Sequence, residues 1–130
     1  MLLLRICTAA ILVVHGAGGM FNGGITGFGE YLNTSGFAPA GLLMAWLIKL
    51  SHIVAAAGII SGKWLLWVCP VTIIILVAGI FMVHLPNGWF VVGGGSNGIE
   101  FNLLLIFVLL AILFENDPAK KGTNKQEIID

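Results

Sequence analysis

Charge is what this chain most lacks. Only 9% of its 130 residues are Asp, Glu, Lys or Arg, against about 25% in ordinary globular domains. A soluble protein of this length needs more polar side chains to cover its surface, so a soluble enzyme and a disordered tail are both excluded. Six basic residues stand against six acidic ones, which leaves no basic field and excludes a nucleic-acid binder. Cysteine is equally scarce. Cys7 and Cys69 are too few and too far apart for a disulfide framework or a CxxC redox motif, and both read as packed apolar thiols. Gly93-Gly94-Gly95 is followed by no Gly-Lys-Ser/Thr, so it is no phosphate loop, and it reads as a flexible connection.

What is abundant is apolar. Hydrophobic residues make up 58% and mean hydropathy is +1.04. Four stretches approach the 20 or so residues that a bilayer core requires: about 2–21, 40–62, 64–84 and 98–114. They are about twice as long as a membrane strand and do not alternate in and out, so helices are expected. The predicted fold is all-α, a four-helix transmembrane bundle over residues 1–114, followed by a polar cytoplasmic tail over 115–130. Residues 22–37, rich in glycine and carrying the Asn33-Thr34-Ser35-Gly36 run, read as a loop. So do residues 85–97. Gly62-Lys63 is a tight connection that makes stretches two and three antiparallel neighbours. Pro70 marks either a kink or the true start of the third helix. The first stretch has some marks of a signal peptide, but its length and its histidine favour a retained span.

Lys and Arg set the orientation. Arg5, Lys63, Lys120, Lys121 and Lys125 all fall on one side of a four-span chain, and the connections 22–37 and 85–97 carry no Lys or Arg. Both termini are therefore expected in the cytoplasm of an inner-membrane protein. Trp64 and Trp67 at one boundary, and Tyr31, Trp89 and Phe90 at the other, suit the headgroup level. Gly58-x-x-x-Gly62, Ala55–Ala57 and Gly16–Gly19 offer smooth faces for close helix approach.

Ionisable residues inside a span are costly, about 2.5–3.5 kcal/mol for a central lysine on insertion scales. His15, Lys49, His52, His84 and Glu100 all fall in the outer half of the predicted bundle, with at least one on each helix. Lys49 and His52, three apart, share a face. Each has a plain reading: His15 and His84 at the interface bonded to carbonyls, Lys49 snorkelling outward, Glu100 as a first-turn acid taking N–H groups. His52, near mid-span, is hardest to explain so. Together the five residues describe an outward-facing polar cluster that binds an anionic or quinone-like ligand, relays protons, or pairs internally, with Glu100 partnering Lys49 or a histidine. Three histidines and a carboxylate suffice in type for a metal. No two of them have zinc-motif spacing, however, and Lys49 would repel a cation, so no metal site is assigned.

The segment His84-Leu85-Pro86-Asn87-Gly88-Trp89-Phe90, with Gly93-Gly94-Gly95 and Gly98-Ile99-Glu100-Phe101 beyond it, resembles the third-to-fourth-helix region of DoxX-type membrane proteins. Arg5 with His15-Gly16, and Phe37-Ala38-Pro39 before the second stretch, resemble the same family. The resemblance spans about residues 4–114 and is most specific over 84–105. It implies a four-helix membrane bundle and, from some relatives, an accessory or quinone-linked subunit of a membrane redox system. Quinone is then the cofactor and a redox protein the partner, besides the lipid bilayer. Family members often carry a glutamate about ten residues before the glycine ending helix two. Counting back from Gly62 lands on His52, so any role of that glutamate is absent here or passes to His52. The alternative is a non-catalytic membrane factor that binds a partner protein or small molecule. A redox subunit should co-purify with a soluble redox partner, and the alternative should not.

Overall fold

The computed structural model describes residues 1–116. Of the tail expected over 115–130, Glu115 ends the last helix and residues 117–130 lie outside the described residues. The described chain is all-α, with five α-helices: α1 Leu2–Ala17, α2 Gly24–Leu32, α3 Gly41–Ser61, α4 Leu65–Gly79 and α5 Glu100–Glu115. The four apolar stretches become α1, α3, α4 and α5, helices that satisfy their backbone hydrogen bonds internally along apolar runs.

The fifth helix, α2, corrects the expectation of a loop over 22–37. Ile25, Gly29 and Leu32 are its buried positions, spaced by four and three residues along one helical face. Gly23, Gly24, Gly27 and Gly29 obscure that stripe in the sequence because they read as turn residues. The Ile25 N–H bonds back to the Gly19 carbonyl at 3.0 Å, closing the turn from α1. A π-helical turn, Asn33–Phe37, follows α2. The Asn33 side-chain oxygen then accepts the Gly41 N–H at 2.9 Å, satisfying one of the orphan donors that open α3.

The end of α3 shows why Gly62 is there. It takes φ +70°, a left-handed value that favours glycine. Its N–H returns to the Ile59 carbonyl, and the Lys63 N–H to that of Gly58. These are the paired bonds of a Schellman stop. The reversal lays α4 antiparallel to α3, as the short connection predicts. Beyond it α4 begins at Leu65, five residues before Pro70. The helix therefore runs through the proline and does not start at it.

Two clusters hold the elements together. Ala9 and Leu12 of α1, Ala55 and Ile59 of α3, Cys69 and Leu76 of α4, and Leu105, Leu109 and Ile112 of α5 share the larger core. Ile25 and Leu32 of α2 pack with Ala45 of α3 in a smaller one. Glycines set the closest crossings. A Cβ on Gly16 would come within 2.9 Å of the Lys49 carbonyl oxygen and of Ile53 Cδ1. Such backbone approach is how helices gain packing when lipid removes the hydrophobic drive for association.

Outside the core the surface is apolar. Leu47, Val54, Leu66, Ile74, Phe81, Leu104 and Phe107 are all exposed, far more than a water-facing monomer carries. Among the described residues, two helices are long and apolar enough to cross a membrane: Gly41–Ser61, with 21 residues, and Leu65–Asn87, with 23. The second continues α4 through a π turn, Ile80–His84, and a 3-10 turn, Leu85–Asn87. Helices α1 and α5 have 16 residues each and reach about 24 Å, short of the ~30 Å hydrocarbon core.

The connection from 88 to 99 is more ordered than a flexible loop. The N–H groups of Gly98, Ile99 and Glu100 bond to the carbonyls of Phe90, Gly88 and Trp89. Gly98 is buried, and a Cβ there would collide with the Trp89 carbonyl.

Candidate functional site

Lys49, on α3, meets a helix end. The Lys49 ammonium donates to the His15 carbonyl at 2.8 Å. His15 lies in the last turn of α1, where the final four carbonyls have no partner within the helix and carry the negative end of the macrodipole. The Phe28 ring adds a contact, its centroid 5.9 Å from Nζ, near the limit of a cation–π approach. Arg5, near the other end of α1, differs: its Nε and Nη2 are buried without a hydrogen-bond partner among the described residues. Its guanidinium packs against Gly62, with Nη1 about 3.0 Å from where a Cβ would stand, at the end of α3.

Beside Lys49 a cavity of about 640 Å³ opens between α1, α2, α3, the end of α4 and the first turn of α5. That volume suits a small-molecule site. His15, Lys49, His52 and His84 line it. The rest of its wall is mostly apolar, with Leu32, Met44, Ile48, Ile75 and Met82 among its residues. Four of the five residues of the expected polar cluster therefore share one cavity.

His52 is the group that most needs explaining. It is 1% exposed. Its Nδ1 stands 2.7 Å from the Ile48 carbonyl, and a carbonyl only accepts, so Nδ1 carries the proton. The other nitrogen, Nε2, is buried without a hydrogen-bond partner among the described residues. An unsatisfied buried polar group costs about 1–3 kcal/mol. The His15 ring lies beside it, centroids 5.2 Å apart and planes tilted by 49°. His84 has the same polarity: its Nδ1 donates to the Asn97 carbonyl at 2.8 Å.

Glu100 stands apart. It does not line the cavity. Its Oε1 accepts the Val91 N–H at 2.8 Å, which ties down the 88–99 connection. The expected pairing with Lys49 or a histidine is replaced for a physical reason. Each group finds main chain nearer to hand, Lys49 the end of α1 and Glu100 a loop N–H.

Three wall residues were missed by sequence reasoning. Asn102, 7% exposed, is the one amide inside the apolar run 101–114, and that polarity was the available signal. Tyr31, the only tyrosine, donates its hydroxyl to the Met82 carbonyl at 2.6 Å, fastening α2 to the π turn. Phe28 had no signal, because it lay in a presumed loop.

The family model DoxX matches residues 1–85. No curated protein and no solved structure matches the chain. The match takes in His15, Lys49, His52 and His84. It stops short of Asn102, Glu100 and most of the 84–105 segment on which the resemblance is most specific. A match over this much of the chain, on a helical protein with an apolar exterior, means that the chain belongs to the DoxX family.

Proposed function

We propose that this protein is a multi-pass inner-membrane protein whose cavity binds a lipophilic small molecule, and that it serves as an accessory, quinone-linked subunit of a membrane redox system. The four long helices cross the bilayer with both termini in the cytoplasm, and α2 lies at the outer face. The Lys/Arg distribution supports that orientation, and local bilayer thinning accommodates the shorter α1 and α5. The observation that carries the ligand-binding reading is His52, buried on the wall of a largely apolar cavity with Nε2 unpartnered. A membrane-dissolved molecule with one polar end matches such a wall. The redox assignment is supported by family resemblance.

The test is purification into lipid nanodiscs, followed by mass spectrometry of the extracted small molecules and titration with decylubiquinone and its reduced form. Wild type should carry a lipophilic molecule in near-stoichiometric amount or bind the probe saturably. Met44→Trp, which fills the cavity from α3, should lose both. Identical extracts from the two proteins with no saturable binding would overturn the ligand-binding reading. A soluble redox protein should co-isolate from native membranes, and its absence at every detergent strength would remove the redox part alone.

A further inference from the structure

The cavity wall carries charge of one sign. Among the described residues, Lys49 is the one Lys or Arg that lines it, and no Asp or Glu does. Its three histidines are neutral or positive, never negative. The Lys49 Nζ stands between the His15 carbonyl, 2.8 Å away, and the Phe28 ring, and both of those residues line the cavity as well. The carbonyl takes one of three ammonium hydrogens. The helix end behind it carries roughly half a negative charge, so it offsets the ammonium only in part. Asn102, 7% exposed on α5, adds amide donors to the same wall. A wall of one sign and low dielectric focuses its field into the cleft it encloses.

We infer that the cavity takes a single-chain lipophilic anion, its carboxylate held by the Lys49 ammonium, in preference to a neutral or cationic molecule with the same chain. This rests on the proposed reading of the cavity as a lipophilic-ligand site. A carboxylate completes the partly offset charge of Lys49. It only accepts hydrogen bonds, which suits the two remaining ammonium hydrogens and the Asn102 amide. Hydrogen bonds between ionised partners are roughly twice as strong as neutral ones, so an ester of the same acid gains less. An amine sets like charge against Lys49 where little water screens it. The alkyl chain lies against the apolar part of the wall, with Leu32, Ile48, Ile75 and Met82 among its residues.

The matched probes are dodecanoate, methyl dodecanoate and dodecylamine, one chain with an anionic, a neutral and a cationic head. Binding to the protein in nanodiscs of zwitterionic lipid is measured by calorimetry in mildly alkaline buffer, where the acid is ionised, after subtraction of partition into empty nanodiscs. Dodecanoate should bind at least about tenfold more tightly than the ester, and the amine most weakly. Lys49→Met and Lys49→Gln should bring dodecanoate to the level of the ester while the ester holds, and Lys63→Met, which removes a cation outside the cavity, should change nothing. If no probe binds wild type and decylubiquinone fails as well, the cavity reading falls and this inference with it. If decylubiquinone binds and dodecanoate does not, or if the ester or the amine matches dodecanoate, the cavity reading stands and this inference is wrong. A preference for dodecanoate that persists in folded Lys49→Met, or that disappears in Lys63→Met, overturns it too. Should neither Lys49 variant fold, solid-state NMR of wild type decides. The carboxyl carbon of bound dodecanoate should show a dipolar contact to a lysine ammonium nitrogen, and its absence sinks the inference.

Discussion

Lys49 and His15 meet through main chain: the ammonium of one donates to the carbonyl of the other at 2.8 Å. A lysine inside a span is thereby matched by the end of a neighbouring helix and needs no carboxylate. Lys49→Met should consequently shift stability by no more than about 1 kcal/mol, because the lost dipole interaction is offset by a cheaper side chain in the membrane. Lys49→Glu should cost more than 2 kcal/mol, on the order of a buried unpaired charge set against the wrong end of a dipole. Thermal unfolding in a mild detergent distinguishes the two, and equal losses would show that the helix end is not the partner.

Gly16 and Gly27 make a matched pair. A Cβ on Gly16 meets the Lys49 carbonyl oxygen, and one on Gly27 meets nothing within 4 Å. Gly16→Ala should lower stability by roughly 1–3 kcal/mol through overpacking of the α1–α3 crossing. Gly27→Ala should be neutral or stabilise by about 0.5–1 kcal/mol by favouring helix. Denaturation midpoints of the two variants side by side check this, with wild-type helix content in each.

Glu100 ties a loop, so its substitutions should report on the Val91 N–H. Glu100→Gln keeps an acceptor and should cost under ~1 kcal/mol, whereas Glu100→Ala leaves the N–H unpartnered and should cost about 1–3 kcal/mol. Combining Glu100→Gln with Lys49→Met should give additive losses within about 0.5 kcal/mol, as for sites that share no partner. A larger coupling energy in that double-mutant cycle would restore the ion pair expected from sequence.

The cysteines differ in exposure, Cys69 fully buried and Cys7 on the surface. Cys7→Ser should change stability by less than about 0.5 kcal/mol. Cys69→Ala should lose ~1 kcal/mol by leaving a small void in the core. The double variant should bind ligand as wild type does. Binding lost with folding intact would reveal chemistry at the thiols.

Orientation is tested by labelling in a background free of native cysteine. Cysteines at Asn22 and Ser96, both exposed, should react with an impermeant maleimide in intact cells, and one at Asn124 should react only after lysis. The reverse pattern would invert the protein in the membrane and turn the cavity mouth inward.

The four long helices were legible because each is an apolar run with no competing signal, and the α3–α4 reversal because Gly62-Lys63 admits little else. Helix α2 was hidden by its own glycines, since a stripe of Ile25, Gly29 and Leu32 carries too little hydrophobicity to outweigh them. The grouping of His15, Lys49, His52 and His84 came from depth alone, which costly intramembrane charge makes informative. What depth could not show was direction. Lys49 and Glu100 bond to different stretches of main chain, a choice made by loop path and helix ends that no residue spacing encodes.

The π turn over Ile80–His84 makes this part of the chain intolerant of a change in length. Wide turns of this kind accommodate one more residue than the α-helix they interrupt, and they recur at functional sites. Deleting a single residue there would let the segment relax to ordinary α-helix. The helical phase downstream would be kept, because the turn absorbs the lost residue, but the wide turn that presents the Met82 carbonyl to Tyr31 and places His84 on the cavity wall would be gone. Point substitutions at Phe81 or Val83 leave that turn in place. Among natural variants of this chain, the exposed Phe81 should therefore drift freely while the number of residues between 80 and 84 stays fixed.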